Sequence, residues 1–252
     1  MWFFLLLILV CLLVPAAFKK RVPIVQNVNQ GVVAFDDFIE VSSNIADPFN
    51  YIGIYFQSST TSSAQITPVY STIFPGAVSL YIEDQGDTAV LETLPVLNLS
   101  VNNLLDVQTR FMMTSLGTGS QIHKTSFGFS DNFADRSSES NAAVIYYDLS
   151  ISPNYICYVK DQINGTSQVI TTVAAAANTD TYFRVTITPN VCYFYINNVL
   201  VATINNSPVT ANLFSLGWSR EKTVGNNTGS SLYVDAIGIT QQLTTPRTFV
   251  NP

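Results

Sequence analysis

Histidine is nearly absent from this chain, and charged residues are scarce. Its 252 residues include one histidine, three cysteines and 11% charged residues, whereas an average soluble protein has roughly 25% charged residues. One histidine and so few cysteines exclude a tetrahedral zinc site. Eleven basic and seventeen acidic residues give a net charge of −6. Because nucleic-acid binding needs clustered lysine and arginine, the composition argues against a nucleic-acid partner.

The three cysteines are too few for a disulfide framework. Cys11 lies in an apolar N-terminal run, so only Cys157 and Cys192 remain, each within a strand-like segment. Two interpretations stay open, one bridge between them or two buried unpaired thiols, and the strand-like surroundings favour the second. Free thiols would in turn favour assembly in a reducing compartment.

The N-terminus carries an apolar run that a basic cluster follows at once. Residues 2–18 are uncharged, and Lys19, Lys20 and Arg21 come next. As a helix the run would span about 25 Å, enough to cross a thin bilayer, and the positive-inside rule would keep the basic cluster in the cytosol. The sequence therefore predicts one transmembrane helix, whose predicted anchor residues are Trp2, Phe3, Phe4, Leu5, Leu6, Leu7, Ile8, Leu9, Val10, Leu12, Leu13 and Val14.

A cleaved secretory signal is the alternative for the same segment. Val14 and Ala16 are small residues that suit a cleavage site, but no positive charge precedes the apolar run. The predicted organisation is a membrane anchor at 1–22, a linker at 23–30, one β-domain at 31–243 and a tail at 244–252. We expect a single-pass membrane protein, with a secreted or cell-surface protein as the alternative.

Short strand-like segments fill the chain after Gly31. They are rich in valine, isoleucine, tyrosine, phenylalanine and threonine and are separated by glycine, proline, asparagine and aspartate. Residues 182–188 alternate between apolar and polar side chains, and Asn197-Asn198 suits a two-residue hairpin turn. Residues 173–178 contain an alanine run that is too short to form a stable helix. Without crossover helices a parallel sheet is excluded, and the sequence predicts an all-β, antiparallel jelly-roll β-sandwich.

The C-terminal half carries a recognisable strand pattern. It runs TYFRVTITPNVCYFYINNVLVATI (181–204), LFSLGW (213–218) and SLYVDAIGIT (231–240), with Asp235 in the last strand. This pattern resembles the concanavalin A-like lectin/glucanase superfamily, including laminin-G-like modules. Together with the N-terminal anchor, it resembles the membrane-anchored members of this kind seen among viral structural proteins. Phe35-Asp36-Asp37-Phe38 and Asp47-Pro48-Phe49 look like the opening of the same sandwich. The resemblance implies the fold; function does not follow from it.

No catalytic residues are predicted. Retaining glucanases of this superfamily need two carboxylates about 5–5.5 Å apart on one strand, and the acidic run at residues 83–87 has the wrong spacing and looks like a tight turn. The single histidine, His123, lies in a segment that is interpreted as a surface loop. No cofactor is expected, and the alternative is a calcium ion held by loop carboxylates. The candidates for that ion are Asp84, Asp87, Asp131, Asp135 and Asp180.

A glycan site is the remaining binding hypothesis. Trp218 could supply an aromatic platform, with Arg220 and Asn226 as the polar groups beside it. Core packing is the competing interpretation for Trp218, because it continues an apolar strand. Asp235 is interpreted as structural, bonding loop backbone near the end of its strand.

Three hypotheses from different classes follow. The first is a non-enzymatic structural protein, a membrane-anchored minor capsid component of a large double-stranded DNA virus, in contact with membrane lipid and with other virion proteins or itself. The uncharged polar surface, the anchor and the lack of an active site motivate it. The second is a lectin-like attachment protein that binds a glycan. The third, a glycan hydrolase, is nearly removed by the missing carboxylate pattern.

Overall fold

The structure is a computed structural model that describes residues 26–28, 31–36, 51–52, 56–61, 63–70, 75–93, 102–135, 138–208 and 214–243. The predicted anchor with its basic cluster (1–22) and the predicted tail (244–252) lie outside the described residues, as does the second opening motif at 47–49. No helix in the described part of the chain is long and apolar enough to span a membrane.

The described residues form antiparallel strands. Their alternating β-branched and aromatic residues explain this preference, because such side chains pack well on a pleated surface. The strands are β1 (Gln26–Val28), β2 (Gly31–Asp36), β3 (Tyr51–Ile52), β4 (Phe56–Thr60), β5 (Gln65–Tyr70), β6 (Pro75–Ile82), β7 (Thr88–Thr93), β8 (Asn102–Met113), β9 (Gly117–Thr118), β10 (Gln121–Ser130), β11 (Ala142–Asp148), β12 (Ser152–Asp161), β13 (Gly165–Ala174), β14 (Thr181–Ile187), β15 (Cys192–Ile196), β16 (Val199–Ile204), β17 (Ser215–Val224) and β18 (Ser230–Leu243).

Two sheets, each of nine described strands, make up the fold. Sheet A has the order β1-β2-β18-β8-β14-β15-β16, with β6 paired to β18 and β5 to β6. Sheet B has the order β13-β12-β11-β10-β17-β7-β4-β3, with β9 paired to β10. Every described strand pair is antiparallel. The predicted all-β, antiparallel sandwich is therefore confirmed.

The core lies between the two sheets and is aromatic at its centre. The ring of Trp218 in β17 lies 4.7 Å from that of Phe111 in β8 and 4.8 Å from that of Phe127 in β10, between ring centroids. Phe183 of β14 joins them, 4.5 Å from Phe111. All four side chains are buried. Because aromatic rings bury the most area and prefer such tilted contacts, this cluster joins sheet A to sheet B.

A second apolar cluster lies on the outer face of sheet B. Its members alternate along β11 with core residues such as Ala143 and Ile145, and Phe133 joins them from the loop between β10 and β11. This cluster consists of Val90, Phe133, Ala142, Val144, Tyr146 and Ile156, with Tyr158 packed against it. The outer face of sheet B is thus apolar and buried in its middle.

The structure confirms some local predictions and differs from others. The hairpin at Asn197-Asn198 is confirmed, since these two residues join β15 to β16 and both have positive φ, 51° and 65°. The 173–178 segment continues β13 to Ala174 and forms no helix. The 23–30 segment, predicted as a linker, contains β1, which pairs with β2. Both body cysteines are free and buried.

The prediction for His123 was wrong. The residue lies in β10 and is 1% exposed. The glycine, serine and glutamine around it resemble a loop, but β10 pairs with both β11 and β17. Pairing on both sides makes β10 a central strand of sheet B.

Candidate binding site

A pocket of about 390 Å³ opens on the outer face of sheet A. It spans three neighbouring strands, β18, β8 and β14, and reaches the turn between β15 and β16. Its lining combines charged, amide and aromatic groups. The residues that line it are Gln108, Thr109, Arg110, Tyr182, Phe183, Arg184, Asn198, Asp235 and Ala236.

Strand alternation explains why these polar side chains share one face. Along β14, Phe183 and Val185 enter the core, so Tyr182 and Arg184 face outward. Successive residues of a strand point to opposite sides of its sheet. Arg110 lies opposite Tyr182 on one side and Ala236 on the other. The small side chain of Ala236 leaves room between larger neighbours.

A β-bulge brings Asp235 into the pocket. Val234 pairs with Phe111 and Ala236 with Arg110, so Asp235 is an extra residue on β18. Bulges re-aim side chains and are frequent next to functional sites. The Asp235 carboxylate accepts a hydrogen bond from Nη1 of Arg110 at 2.9 Å. The prediction that Asp235 bonds loop backbone is corrected, because its partner is this side chain.

Arg110 is held between two carboxylates. Its Nη2 donates to Asp180 at 2.6 Å, while Nη1 donates to Asp235. The hydrogen bond that Arg110 donates to Asp180 raises the pKa of Arg110, against a smaller opposing effect of burial. The guanidinium side chain is 29% exposed. Its position is therefore fixed while part of it still faces the pocket.

The Asn197-Asn198 turn closes one side of the pocket. The side chain of Asn197 accepts a hydrogen bond from the Tyr182 backbone N–H at 2.9 Å, and its own N–H donates to the Tyr182 carbonyl at 2.8 Å. Asparagine tolerates the positive φ that such a turn demands. The turn thus positions Asn198 at the rim of the pocket, which Tyr182, a 45% exposed residue, also lines.

Arg184 forms a second fixed cation beside the pocket. Its Nε donates to both carboxylate oxygens of Asp106, at 2.9 and 3.0 Å, and its guanidinium lies 5.1 Å from the ring centre of Tyr195. The hydrogen bond with Asp106 raises the pKa of Arg184. Both arginines near the pocket are therefore neutralised by aspartates.

The chemistry of the pocket suits recognition of hydroxyl groups. Aspartate, asparagine and glutamine offer acceptors and amide donors, arginine offers donors, and a tyrosine ring offers an apolar face. Ligand pockets of roughly 300–1,000 Å³ commonly combine such features. No group of three or more potential metal ligands exists among the described residues.

Trp218 and Arg220 lie in the interior of the protein. Both have zero exposure, and Trp218 donates through its indole N–H to Thr109 at 3.3 Å. The glycan contact predicted for these two residues is corrected, because a sugar cannot reach them through the packed core. The competing interpretation of Trp218 as a core residue agrees with this burial.

Asn226 is exposed, but it lies in a different place from the pocket. Its side chain accepts a hydrogen bond from the Gln85 N–H at 2.9 Å. Asp84 accepts one from the Asn227 N–H, also at 2.9 Å. Asn226 therefore fastens the loop after β17 to the turn after β6.

The acidic run at residues 83–87 is that turn. The Asp87 carboxylate accepts hydrogen bonds from the backbone N–H groups of Ser63, Glu83 and Asp84 and from the Ser63 hydroxyl, at 2.8–3.0 Å. Burial alone would raise the pKa of Asp87, but these hydrogen bonds outweigh it and the pKa is lowered. Lys222 donates to the Glu83 and Thr228 carbonyls. The turn is organised by Asp87 as a hydrogen-bond acceptor.

Two further calcium candidates also act as internal acceptors. Asp131 accepts hydrogen bonds from the backbone N–H groups of Ser140 and Asn141, at 2.9 and 3.0 Å, and Asp180 pairs with Arg110. Asp135 lies in the same loop as Asp131, between β10 and β11. The five candidate aspartates therefore lie in three separate places: Asp84 and Asp87 in the turn after β6, Asp131 and Asp135 in the loop after β10, and Asp180 beside Arg110.

Buried cationic residues occupy the inner face of sheet B near one end. Arg220 donates to Thr125 at 2.8 Å, to the Ser115 carbonyl at 3.1 Å and to Ser230. Complete burial lowers its pKa to about 9. Burial, followed by the positive charges of Arg220 and Lys222, lowers the pKa of His123 to about 4. A histidine held neutral in this way is part of the core.

Comparison with known structures identifies the fold. A protein of unknown function from Shewanella oneidensis MR-1 superposes with a TM-score of 0.61 and 12% identity, over 89% of this chain and 92% of that chain. The carbohydrate recognition domain of Emp46p in its potassium-bound form superposes with a TM-score of 0.56 and 11% identity, over 81% of this chain and 94% of that chain. The corresponding domain of Emp47p superposes with a TM-score of 0.56 and 12% identity, over 85% of this chain and 96% of that chain.

No protein-family model and no curated protein matches the sequence. The neighbours support the predicted lectin-like sandwich, but they give no support to its membrane-anchored viral kind. At this level of identity the likeness concerns the fold alone. The chain has the concanavalin A-like β-sandwich fold, as the carbohydrate recognition domains of Emp46p and Emp47p do.

Proposed function

We propose that this chain is a non-catalytic, lectin-like recognition module that binds a glycan in the pocket on sheet A. The observation that carries the proposal is the grouping of the exposed Tyr182 ring with Arg110, Asp235 and Asn198 around one pocket. A sugar ring has an apolar face that stacks on an aromatic ring and hydroxyl groups around its edge that need fixed polar partners. Pre-positioned partners favour binding because less side-chain freedom is lost.

The hydrogen-bond groups of the pocket are already held in place. Arg110 is fixed by Asp180 and Asp235, and the turn that is bonded to Tyr182 fixes the backbone of Asn198. Pairing with aspartates also leaves no unbalanced positive charge from the arginines. This arrangement supports a ligand rich in hydroxyl groups, in contrast to a strongly anionic one.

The proposal is tested with the full chain in detergent micelles on a glycan array, followed by titration of each glycan that binds. Tyr182→Ala should weaken binding about tenfold or more, which corresponds to about 1.4 kcal/mol. Tyr193→Ala is the matched control, because Tyr193 lies on the neighbouring strand β15 and does not line the pocket. The proposal would be refuted if no glycan on the array bound the wild type, or if Tyr182→Ala and Tyr193→Ala bound with equal affinity.

We further propose that residues 2–18 hold the module at a membrane. The uncharged run and the Lys19-Lys20-Arg21 cluster support this, because the positive-inside rule keeps such a cluster in the cytosol. Alkaline carbonate extraction of expressing cells should leave the full chain in the membrane pellet. Recovery in the soluble fraction, or a mature N-terminus beyond residue 16, would support a cleaved signal.

A structural role in an assembly is the second candidate. One form of this role is a minor capsid component of a large double-stranded DNA virus. The comparisons with solved structures give no support to a place in a virion. One structural observation favours an assembly role in general: exposed apolar side chains gather where β13 and β16 end the two sheets. Co-purification with particles would favour it over glycan binding.

A further inference from the structure

The two sides of the sandwich differ in how their edges are built. On one side the outermost described strands are β1, with three residues, β3, with two, and β5, with six. The longest of these, β5, contains Pro68, and proline also blocks pairing at a sheet edge. On the other side the outermost strands are β13, with ten residues, and β16, with six. Short strands are one way in which proteins protect sheet edges from pairing with other chains. In the described part of the chain, the β13 side lacks that protection.

The composition of β13 offers no other protection. Its sequence, GTSQVITTVA, contains no charged residue and no proline. Lysine, inward-pointing charges and proline are the usual means of blocking an edge strand. Among the described strands, β13 is paired only through β12, so its other edge has backbone N–H and C=O groups without a ladder partner.

Apolar side chains are exposed along the same side. Ile170 of β13 is 50% exposed and Ile163, in the turn before β13, is 77% exposed. β16 lies beside β13, and its Val199 and Leu200 are 63% and 49% exposed. An uncharged strand edge with apolar side chains around it is the surface that strand addition requires.

We propose that β13 pairs antiparallel with β13 of a second copy of this chain, about a two-fold axis. A two-fold contact brings a surface against itself, so it must carry no like charges. The chain has a net charge of −6, but β13 and β16 contain no charged residue at all. An antiparallel strand pair satisfies two-fold symmetry directly, since each strand supplies the same hydrogen-bonding edge to the other. The resulting dimer joins two sheets B into one continuous sheet.

The test is the molar mass of the full chain in detergent micelles, measured by light scattering over a range of concentrations. The wild type should form a dimer. Ile170→Lys places a positive charge from each copy at the interface and should weaken dimerisation at least tenfold. Ile151→Lys is the matched control, because Ile151 is 52% exposed and lies in the turn between β11 and β12. It should dimerise as the wild type does.

A second variant guards against a folding defect in Ile170→Lys. Thr166→Glu puts a charge on the same edge strand, opposite Lys160 of β12, where an ion pair favours the fold. Circular dichroism and the melting temperature of each variant establish that it is folded. A monomeric wild type would overturn the proposal. A dimer that survives both charge substitutions would also overturn it, since residues 1–22 or another face would then form the contact.

Discussion

The guanidinium of Arg110 and the carboxylate of Asp235 meet at 2.9 Å because β18 carries one residue too many at this point. Strict alternation would turn Val234 and Ile237 to opposite faces, but both are buried, so the bulge leaves Asp235 and Ala236 together on the outer face. A local irregularity of the backbone therefore creates a charged group in the pocket. Such irregularities persist where they serve a purpose beyond stability.

Removing the charge of Asp235 should affect binding more than stability. In Asp235→Asn, Arg110 keeps its pairing with Asp180, and partly exposed ion pairs of this kind contribute about 0.2–1 kcal/mol. The free energy of unfolding in urea should fall by less than about 1 kcal/mol. Glycan affinity should fall about tenfold, as measured by titration. Equal glycan affinity in wild type and Asp235→Asn would argue against a role of this carboxylate in binding.

Part of this site follows from sequence. The alternation of residues 182–188 separates Phe183, Val185 and Ile187 from Tyr182 and Arg184, and the structure confirms that Tyr182 and Arg184 face outward. Arg110 and Asp235 lie 125 positions apart in the chain. No local pattern can predict that they meet, because strand order and the bulge at Asp235 are long-range properties.

The glycan hypothesis for Trp218 and Arg220 and the loop assignment of His123 fail for related reasons. Both residues lie in strands near the middle of sheet B, β17 and β10, which pair with each other. Arg220 was predicted to be a polar group beside an aromatic platform, yet Arg220 and Lys222 continue the inward face of β17 and are buried. Polar side chains normally indicate exposure. Here the backbone and hydroxyl partners of Arg220 inside the sandwich reverse that rule.

Trp218 should be a stability residue. Its ring contacts Phe111 and Phe127, at 4.7 and 4.8 Å between ring centres, and it is fully buried. Trp218→Ala should lower the free energy of unfolding by about 3–5 kcal/mol. Trp218→Phe keeps part of the packing and should cost less.

Denaturant unfolding followed by tyrosine fluorescence measures both Trp218 variants. Glycan affinity of any folded Trp218→Phe protein should match that of the wild type. A marked loss of affinity without loss of stability would show that Trp218 contacts the ligand.

Asp87 should stabilise the turn that joins β6 to β7. Asp87→Asn removes the negative charge that several backbone N–H groups share, and we expect a loss of about 2–4 kcal/mol in the free energy of unfolding. Ser63→Ala removes one hydroxyl donor and should cost about 0.5–1.5 kcal/mol. Urea unfolding at pH 7 compares the two variants. A larger loss in Ser63→Ala than in Asp87→Asn would contradict this interpretation.

The same residue gives a pH dependence with a definite sign. The pKa of Asp87 is lowered from 3.8 in the folded protein. Its stabilising effect is therefore complete above the unfolded pKa and is lost as the pH falls through the folded pKa. Stability measured below pH 3.8 should decline less steeply in Asp87→Asn than in the wild type.

His123 should cause an earlier loss of stability on acidification. Its pKa in the folded protein is about 4, lowered first by burial and then by Arg220 and Lys222, against 6.5 for a free side chain. Between pH 6.5 and pH 4 the unfolded chain therefore binds a proton that the folded chain does not, and stability falls as the pH falls. Each unit of pKa difference corresponds to 1.36 kcal/mol, so the free energy of unfolding should fall by roughly 3 kcal/mol across this pH range.

A neutral substitution separates His123 from the carboxylates. His123→Leu removes the titrating group, so its free energy of unfolding should stay nearly constant between pH 6.5 and pH 4, whereas that of the wild type declines. Arg220→Met removes the neighbouring positive charge, which should raise the pKa of folded His123. The pH-dependent loss of stability should then end at a higher pH than in the wild type. The Asp87 effect lies below pH 3.8 and does not overlap with this range. A wild type whose stability is flat from pH 6.5 to pH 4 would show that His123 is not held neutral in the core.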